Sequence, residues 1–303
     1  MILATDFKCF VKILFSVCLL FFQRASIFAQ NQKVADSLVK IYQKNKLENS
    51  EKLELLRNLS FNEVNNLELS LKYADELIAL SKLEKNYLYL HRGYYQKGNK
   101  NRLIGDLNKA LNDFFKSAEA ASKAKFITGK GVAYMSIADV YSIMGNANNA
   151  EVYYTKSIDL LRKTKDSIAL ASALLNAGDE YSKNKKFNLA LKHFEEARVI
   201  FDKTNYLIGT GYTLGNIGMV YTKQIDNELG KIYITKAIKI LEKLKDFYAM
   251  SEYLLYMSDI YLTQNDWTTS LRYAKRSLDL AQKYGLKDQI SNSNLKISEL
   301  YQK

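Results

Sequence analysis

Histidine, cysteine and paired carboxylates most often carry catalysis, and this chain arranges few of them for that purpose. It has two histidines, His91 and His193, which lie far apart in the sequence. A general base or a metal site needs partner groups held close to the histidine, and neither histidine has such a cluster beside it. His193 follows the helical pattern beside Phe194, and we interpret it as an ordinary helix-surface or packing residue. The sequence also offers no nucleophile next to a base, so we predict a non-enzymatic protein with no cofactor and no metal site.

Two glycine-rich segments have the look of phosphate-binding loops. Segment 209–215 reads GTGYTLG, and segment 129–131 reads GKG. A dinucleotide-binding loop follows a β-strand, and a P-loop needs an upstream glycine and a following serine or threonine. Neither context is present, so we interpret both segments as boundaries between helical repeats.

The first 29 residues have the pattern of a secretory signal peptide. Lys8 and Lys12 form a basic region before a mostly apolar run at 13–22, and the small Ala29 offers a cleavage position. The run is shorter than the ~20 residues that cross a bilayer. We therefore predict export to a periplasmic or secreted location, with no membrane span after cleavage. An uncleaved segment that holds the protein at a membrane is the alternative.

Composition excludes several classes of protein. Both cysteines, Cys9 and Cys18, lie in the predicted signal, so the mature chain would have no disulfide and no thiolate ligand. Hydrophobic residues make up 48% of the chain, which is too many for a disordered protein. The net charge is +12, but the lysines are scattered among acidic residues. Nucleic-acid binding usually needs a clustered, arginine-rich patch, so we predict no nucleic-acid partner.

Internal repetition is the strongest signal in the sequence. Tyrosines recur every 40 residues, at Tyr141, Tyr181, Tyr221, Tyr261 and Tyr301. The residue three positions before each tyrosine is always small: Ala138, Gly178, Gly218, Ser258 and Ser298. The residue nine positions after each of the first four tyrosines is also small: Ala150, Ala190, Gly230 and Ser270. A period kept by several independent positions indicates a repeat architecture.

Each repeat has the pattern of two amphipathic helices joined by a tight turn. Apolar and small residues recur three and four positions apart in segments 134–141 and 150–158, which is a helical period. Gly145 lies between these segments and can adopt the positive φ that ends a helix. Asp166 and Asp246 are placed to cap the first helix of the next repeat. No hairpin can bury its apolar face alone, so neighbouring hairpins must stack.

These residues resemble the tetratricopeptide repeat, whose pattern is an apolar pair with a small residue, then tyrosine, alanine, an aromatic residue and alanine. One full set is Leu174, Ala177, Gly178, Tyr181, Ala190, Phe194 and Ala197. This chain lacks the family's proline, and its period is 40 rather than ~34 residues. Such repeats are similar to those of kinesin light chain and Rap-type bacterial regulators. The resemblance implies an all-α fold, a right-handed superhelical solenoid of antiparallel helical hairpins.

The predicted organisation has four parts. Residues 1–29 are the signal peptide, and residues 30–50 contain a lone N-terminal helix. Residues 51–290 form the array of about six tetratricopeptide-like hairpins, of which 51–82 is a degenerate copy. Residues 291–303 form a C-terminal capping helix or a truncated repeat, because a solenoid needs to shield its last face.

In this family the first helices of the repeats line a concave groove, so the resemblance implies binding residues on those helices. Two positions three residues apart share one helix face. In successive repeats the first position carries Asn176, Asn216 and Tyr256, and the second carries Asp139, Asp179, Met219 and Asp259. Consecutive asparagines are similar to the ladder with which related arrays hold a peptide backbone, since an amide offers both a donor and an acceptor. The acidic row would favour a basic partner segment, and Tyr212 adds an aromatic groove residue.

A different use of these polar residues stays open, because they could merely join neighbouring helices by hydrogen bonds. The carboxylate clamp of chaperone-binding repeats is excluded, since it needs basic residues where this chain has Val132, Ser172 and Tyr212.

Three functions remain on these observations. The first is an exported scaffold that binds a protein or peptide partner in the groove. The second is a sensor or regulatory module of a bacterial signal-transduction system, of the histidine kinase or adenylate cyclase type, which lacks its effector domain and works through a membrane signalling protein. The third is a small-molecule binder that uses aromatic groove residues.

Overall fold

The protein is all-helical in the computed structural model, which describes residues 30–44 and 46–302. Those residues contain fourteen α-helices and no β-strand. They divide into two compact units, one that ends at Leu77 and one that begins at Ile78. The predicted signal peptide at 1–29 lies outside the described residues.

The first unit contains α1, α2 and most of α3, which runs on across the boundary between the units. Their bounds are Gln32–Gln43, Asn49–Asn62 and Leu67–Leu83. Leu53, Leu56 and Leu59 of α2 are buried in this unit. Hydrogen bonds tie its helices together: the Asn31 backbone N–H donates to Asn62 Oδ1 at 3.1 Å, and Ser70 Oγ donates to the Ser60 carbonyl at 2.8 Å.

The second unit contains eleven helices of similar length. They are α4 (Tyr87–Ile104), α5 (Leu107–Lys123), α6 (Ile127–Ile143), α7 (Ala147–Leu161), α8 (Ser167–Lys183), α9 (Phe187–Lys203), α10 (Leu207–Lys223), α11 (Asn227–Leu244), α12 (Phe247–Thr263), α13 (Trp267–Lys283) and α14 (Lys287–Tyr301). Helices α4 to α13 pair in order into five hairpins, and each hairpin packs on the next one. The prediction of an all-α array of stacked antiparallel hairpins is confirmed.

Local signals set the helix ends without any proline. Asp166 Oδ1 accepts from the Ala169 backbone N–H at 2.9 Å, and Asp246 Oδ1 accepts from that of Ala249 at 3.3 Å. Both side chains satisfy an N–H group that has no partner inside the helix, as the sequence predicted. Gly145 has a φ of +74° between α6 and α7, which ends the first helix of that hairpin.

The small residues allow close contact inside a hairpin. A Cβ atom on Gly178 of α8 would lie 2.5 Å from Cε1 of Phe194 in α9, so only glycine admits this ring. Four of the five repeated tyrosines meet an aromatic ring of their own second helix, as Tyr221 does with Tyr233 at a ring-centroid distance of 5.7 Å. The α4–α5 hairpin replaces this ring pair with a hydrogen bond of 2.8 Å from Asn101 Nδ2 to Asp113 Oδ2.

Candidate functional site

The first helices of the hairpins form the inner layer of the second unit. Successive first helices, α4, α6, α8, α10, α12 and α14, contact one another. Successive second helices make no such contact within the part of the chain that the structure describes. The first helices are therefore the more tightly spaced layer, and we call the surface they share the inner groove.

The inner groove contains a pocket of about 300 Å³ between α8, α10 and α12. Its lining residues are Leu175, Asn176, Asp179, Tyr212, Asn216, Met219, Tyr248, Ala249, Glu252 and Tyr253. Four of the seven residues predicted from the sequence, both asparagines among them, lie in this lining. Asp139, Tyr256 and Asp259 do not line it.

The two asparagines each use one end of the amide to join neighbouring first helices. Asn176 Nδ2 donates to Asp139 Oδ1 at 3.1 Å, and Asn216 Oδ1 accepts from the Tyr253 hydroxyl at 3.0 Å. Among the described residues, Asn176 Oδ1 and Asn216 Nδ2 have no hydrogen-bond partner. The pair thus presents one free acceptor and one free donor group, on adjacent helices, to the same pocket.

Asp139 is held inside the protein. Its Oδ1 accepts from the Tyr154 hydroxyl at 2.7 Å as well as from Asn176, so it joins α6, α7 and α8. Burial raises the pKa of the Asp139 carboxyl, although these hydrogen bonds act in the opposite direction. Asp139 is therefore a junction between hairpins.

The other two acids of the predicted row have lysine partners. Asp179 pairs with Lys183 one turn later in α8 at 2.7 Å, and Asp259 pairs with Lys296 of α14 at 2.8 Å. The acidic row is therefore neutralised in large part by groups of the array itself. A second groove lysine, Lys223, directs its Nζ to Ser182 Oγ at 3.2 Å.

The two predicted tyrosines are partly buried among acidic residues. The Tyr212 hydroxyl donates to Asp246, the residue that caps α12. Burial raises the pKa of Tyr212, and it also raises that of Tyr256, where the negative charge of Glu252 adds to the effect. Both hydroxyls are therefore protonated and uncharged at neutral pH.

Comparisons with known proteins agree with this architecture. Residues 131–203 match the sequence pattern of the tetratricopeptide repeat family. This segment, which spans most of two hairpins, is therefore similar to the tetratricopeptide repeat. No curated protein matches the sequence.

Solved tetratricopeptide-like structures superpose on most of the chain. The apo form of RapI has a TM-score of 0.66 and 18% identity, over 82% of this chain and 89% of that one. A Rap protein complexed with competence and sporulation factor has a TM-score of 0.63 and 11% identity, over 89% and 80% of the two chains. A signal transduction ATPase from Pyrococcus horikoshii with a tetratricopeptide repeat sensor has a TM-score of 0.69 and 14% identity, over 92% of this chain and 43% of that one. At these identities the similarity shows the fold.

Sequence reasoning missed Glu252, Tyr248 and Tyr253, which complete the pocket in the tetratricopeptide array. A signal for Glu252 was available. Val132, Ser172 and Tyr212 occupy one repeat position, and Glu252 is the next residue in that series, 40 positions after Tyr212. The first three residues of the series exclude a basic clamp, and its fourth residue, Glu252, places an acid at the same repeat position.

The histidines are packed into the hairpins. His91 is 5% exposed, and its Nδ1 lies 2.8 Å from Ser117 Oγ. Burial lowers the pKa of His91 to about 4. The ring of His193 packs on that of Tyr181, with centroids 5.0 Å apart.

Within residues 30–44 and 46–302, His, Cys, Asp and Glu side chains nowhere gather in threes as a metal ion would require. Each helix in these two ranges is too short or too polar to cross a membrane.

Proposed function

We propose that the protein is a non-enzymatic scaffold that binds an extended segment of a partner protein in the inner groove. The tetratricopeptide fold is itself a protein-interaction scaffold. The observation that carries the finer proposal is the pair of unused amide groups on Asn176 and Asn216.

The chemistry of the pair matches one peptide unit. A peptide backbone offers an N–H donor and a carbonyl acceptor. Asn176 Oδ1 can accept from the first, and Asn216 Nδ2 can donate to the second. Main-chain hydrogen bonds of this kind hold a segment without regard to its side chains, while pockets beside them give selectivity.

We also propose that the protein is exported, on the strength of the signal-peptide pattern at residues 1–29. Fractionation of cells, with mass spectrometry of the purified chain, tests this part. A chain that begins near residue 30 and is found outside the cytoplasm is the expected result. A full-length chain in the cytoplasm would overturn export while leaving the groove proposal intact.

The second candidate is a sensor module that acts on a membrane signalling protein. The similarity to the Pyrococcus horikoshii ATPase, which carries a tetratricopeptide repeat sensor, favours it. A partner found in the groove and identified as a membrane signalling protein would select this candidate.

Site-specific photo-crosslinking in intact cells tests the groove directly. A photoreactive phenylalanine derivative replaces Tyr248, which lines the pocket and is 49% exposed. The same derivative replaces Leu189 of α9 as a control, since this second-helix residue is 44% exposed. We expect a protein adduct from position 248 that is absent at position 189.

The asparagines are then removed in the chain labelled at position 248. Asn176→Ala with Asn216→Ala should reduce adduct formation strongly, because two hydrogen bonds of about 1 kcal/mol each correspond to a roughly 30-fold loss of affinity. Asn148→Ala with Asn149→Ala, on the exposed start of α7, is the matched control and should change nothing. Equal adducts at positions 189 and 248, or adducts unaffected by the loss of Asn176 and Asn216, would refute the proposal.

A further inference from the structure

Glu252 has charge that the array does not neutralise. It is half-buried in α12 and lines the pocket of the inner groove. In the part of the chain that the structure describes, it makes no ion pair and accepts no hydrogen bond. The groove acids Asp139, Asp179 and Asp259 differ from it, since each has a partner within the array.

The lysines nearest to Glu252 bind other side chains. Lys183 pairs with Asp179 at 2.7 Å, and Lys223 donates to Ser182 at 3.2 Å. Neither lysine lines the pocket, and the lining contains no arginine. The pocket lining therefore has two carboxylates, Asp179 and Glu252, and among the described residues only Asp179 has a cation within ion-pair distance.

The remaining walls suit a cation on an apolar stem. Tyr212 and Tyr248 contribute partly exposed aromatic rings, whose faces attract ammonium and guanidinium groups, and the buried Tyr253 ring lies beside them in the lining. The Tyr212 hydroxyl is used on Asp246 and the Tyr253 hydroxyl on Asn216, so these two rings are fixed in place. Other lining residues, such as Leu175 and Met219, are apolar and can pack against methylene groups.

We propose that this pocket binds a lysine or arginine side chain of the segment held in the groove, with Glu252 as its charge partner. This inference rests on the proposed function, because it places the side chain next to the peptide unit bound by Asn176 and Asn216. Those two asparagines line the same pocket. The pocket volume of about 300 Å³ is at the lower end of ligand pockets (~300–1,000 Å³) and suits one side chain.

Peptide pools test the preference without knowledge of the natural partner. The probes are fluorescent, terminally blocked hexapeptides in which one position is fixed as Lys, Arg, Glu or Leu and the others are randomised. Binding to the full chain is measured by fluorescence anisotropy. The net charge of +12 would attract the Glu pool in general, so a preference for the Lys and Arg pools has to come from a local site.

Two substitutions of Glu252 assign the preference to this residue. Glu252→Gln keeps the shape of the side chain, and it should weaken binding of the Lys and Arg pools roughly tenfold, as expected for the loss of a charge-assisted hydrogen bond. Binding of the Leu pool should stay the same. Glu252→Lys should shift the preference to the Glu pool. Asp279→Asn removes an equal charge from an exposed position of α13 and is the control.

The outcomes separate this inference from the proposed function. No preference for basic pools, or a preference that survives Glu252→Gln, overturns the inference. The groove proposal still stands in that case if Asn176→Ala with Asn216→Ala abolishes binding of the Leu pool. If neither the Glu252 substitutions nor Asn176→Ala with Asn216→Ala change binding, or if no pool binds, the inference and the groove proposal are both overturned. Circular dichroism melting curves confirm that each variant is folded.

Discussion

Gly178→Ala is the substitution that tests the packing inside a hairpin most directly. The added Cβ would lie 2.5 Å from Cε1 and 2.6 Å from Cδ1 of Phe194, far inside van der Waals contact. The Phe194 ring is fully buried, so it has no open space into which to move. Alanine normally stabilises a helix by about 1 kcal/mol relative to glycine. At position 178 we expect alanine to destabilise the protein instead.

The size of the effect follows from two opposing contributions. Overpacking of a closely packed core costs about 1–3 kcal/mol, and the helix propensity of alanine returns about 1 kcal/mol of that. We expect a net loss centred on about 1 kcal/mol, and at most about 2 kcal/mol, in the free energy of unfolding. Gly178→Leu adds three more carbon atoms at the same place and should open the α8–α9 hairpin locally.

A double-mutant cycle with Phe194→Ala identifies the cause. The equivalent repeat positions in the α12–α13 hairpin are Ser258 and Ala274, so a larger first-helix residue occurs there together with a smaller second-helix residue. Phe194→Ala alone should cost about 3–5 kcal/mol. In that background Gly178→Ala should be neutral or stabilising, because the clash is gone. Urea unfolding followed by circular dichroism measures all four chains. An unchanged or higher midpoint for Gly178→Ala in the native background would refute this account of the contact.

Two further predictions concern pH. The pKa of Glu252 is raised by burial and then by the nearby Asp179, so the folded chain holds its proton more tightly than the unfolded chain. Stability should therefore fall as pH rises from 4.5 through that raised pKa. Glu252→Gln should increase the Tm at pH 7 by an amount that disappears below pH 4.5. An unchanged or lower Tm at pH 7 would contradict this. The pKa of His91 is lowered to about 4 by burial, so the unfolded chain takes up a proton first as pH falls below 6.5. About 3 kcal/mol of stability should be lost between pH 6.5 and 4. His91→Gln should remove this loss from the plot of unfolding free energy against pH, which urea titrations measure. An identical pH dependence in the two chains would show that His91 does not cause it.

The repeat and its helix ends could be predicted from the sequence because local physics fixes them. Small residues and tyrosines keep a 40-residue period, since every hairpin must fit the same kind of neighbour. Asp166 and Asp246 cap helices through atoms three residues away, so their role needs no knowledge of the tertiary structure. Gly145 ends its helix for an equally local reason.

The state of the groove side chains could not be predicted in the same way. Asp179 and Lys183 are four residues apart in one helix, and their pairing is visible in the sequence. Asp259 pairs instead with Lys296 of α14, which depends on how closely two helices approach. The bond from Asn176 to Asp139 likewise joins different repeats. Such pairs are set by tertiary distances, which a repeat pattern alone does not contain.

Groove side chains that already have partners inside the array are weaker candidates for binding than those with unused polar groups. The acids of the predicted row use their hydrogen bonds and ion pairs within the array, so their removal should first affect the array. Among the described residues, Asn176 and Asn216 each use only one end of the amide, and Glu252 makes no hydrogen bond or ion pair and is influenced by Lys223 and Lys183 only at longer range. A half-buried carboxylate without a partner is unfavourable for the folded chain alone. It becomes favourable only when a cation enters the pocket, which is why Glu252, rather than the acidic row, should determine the charge of the partner.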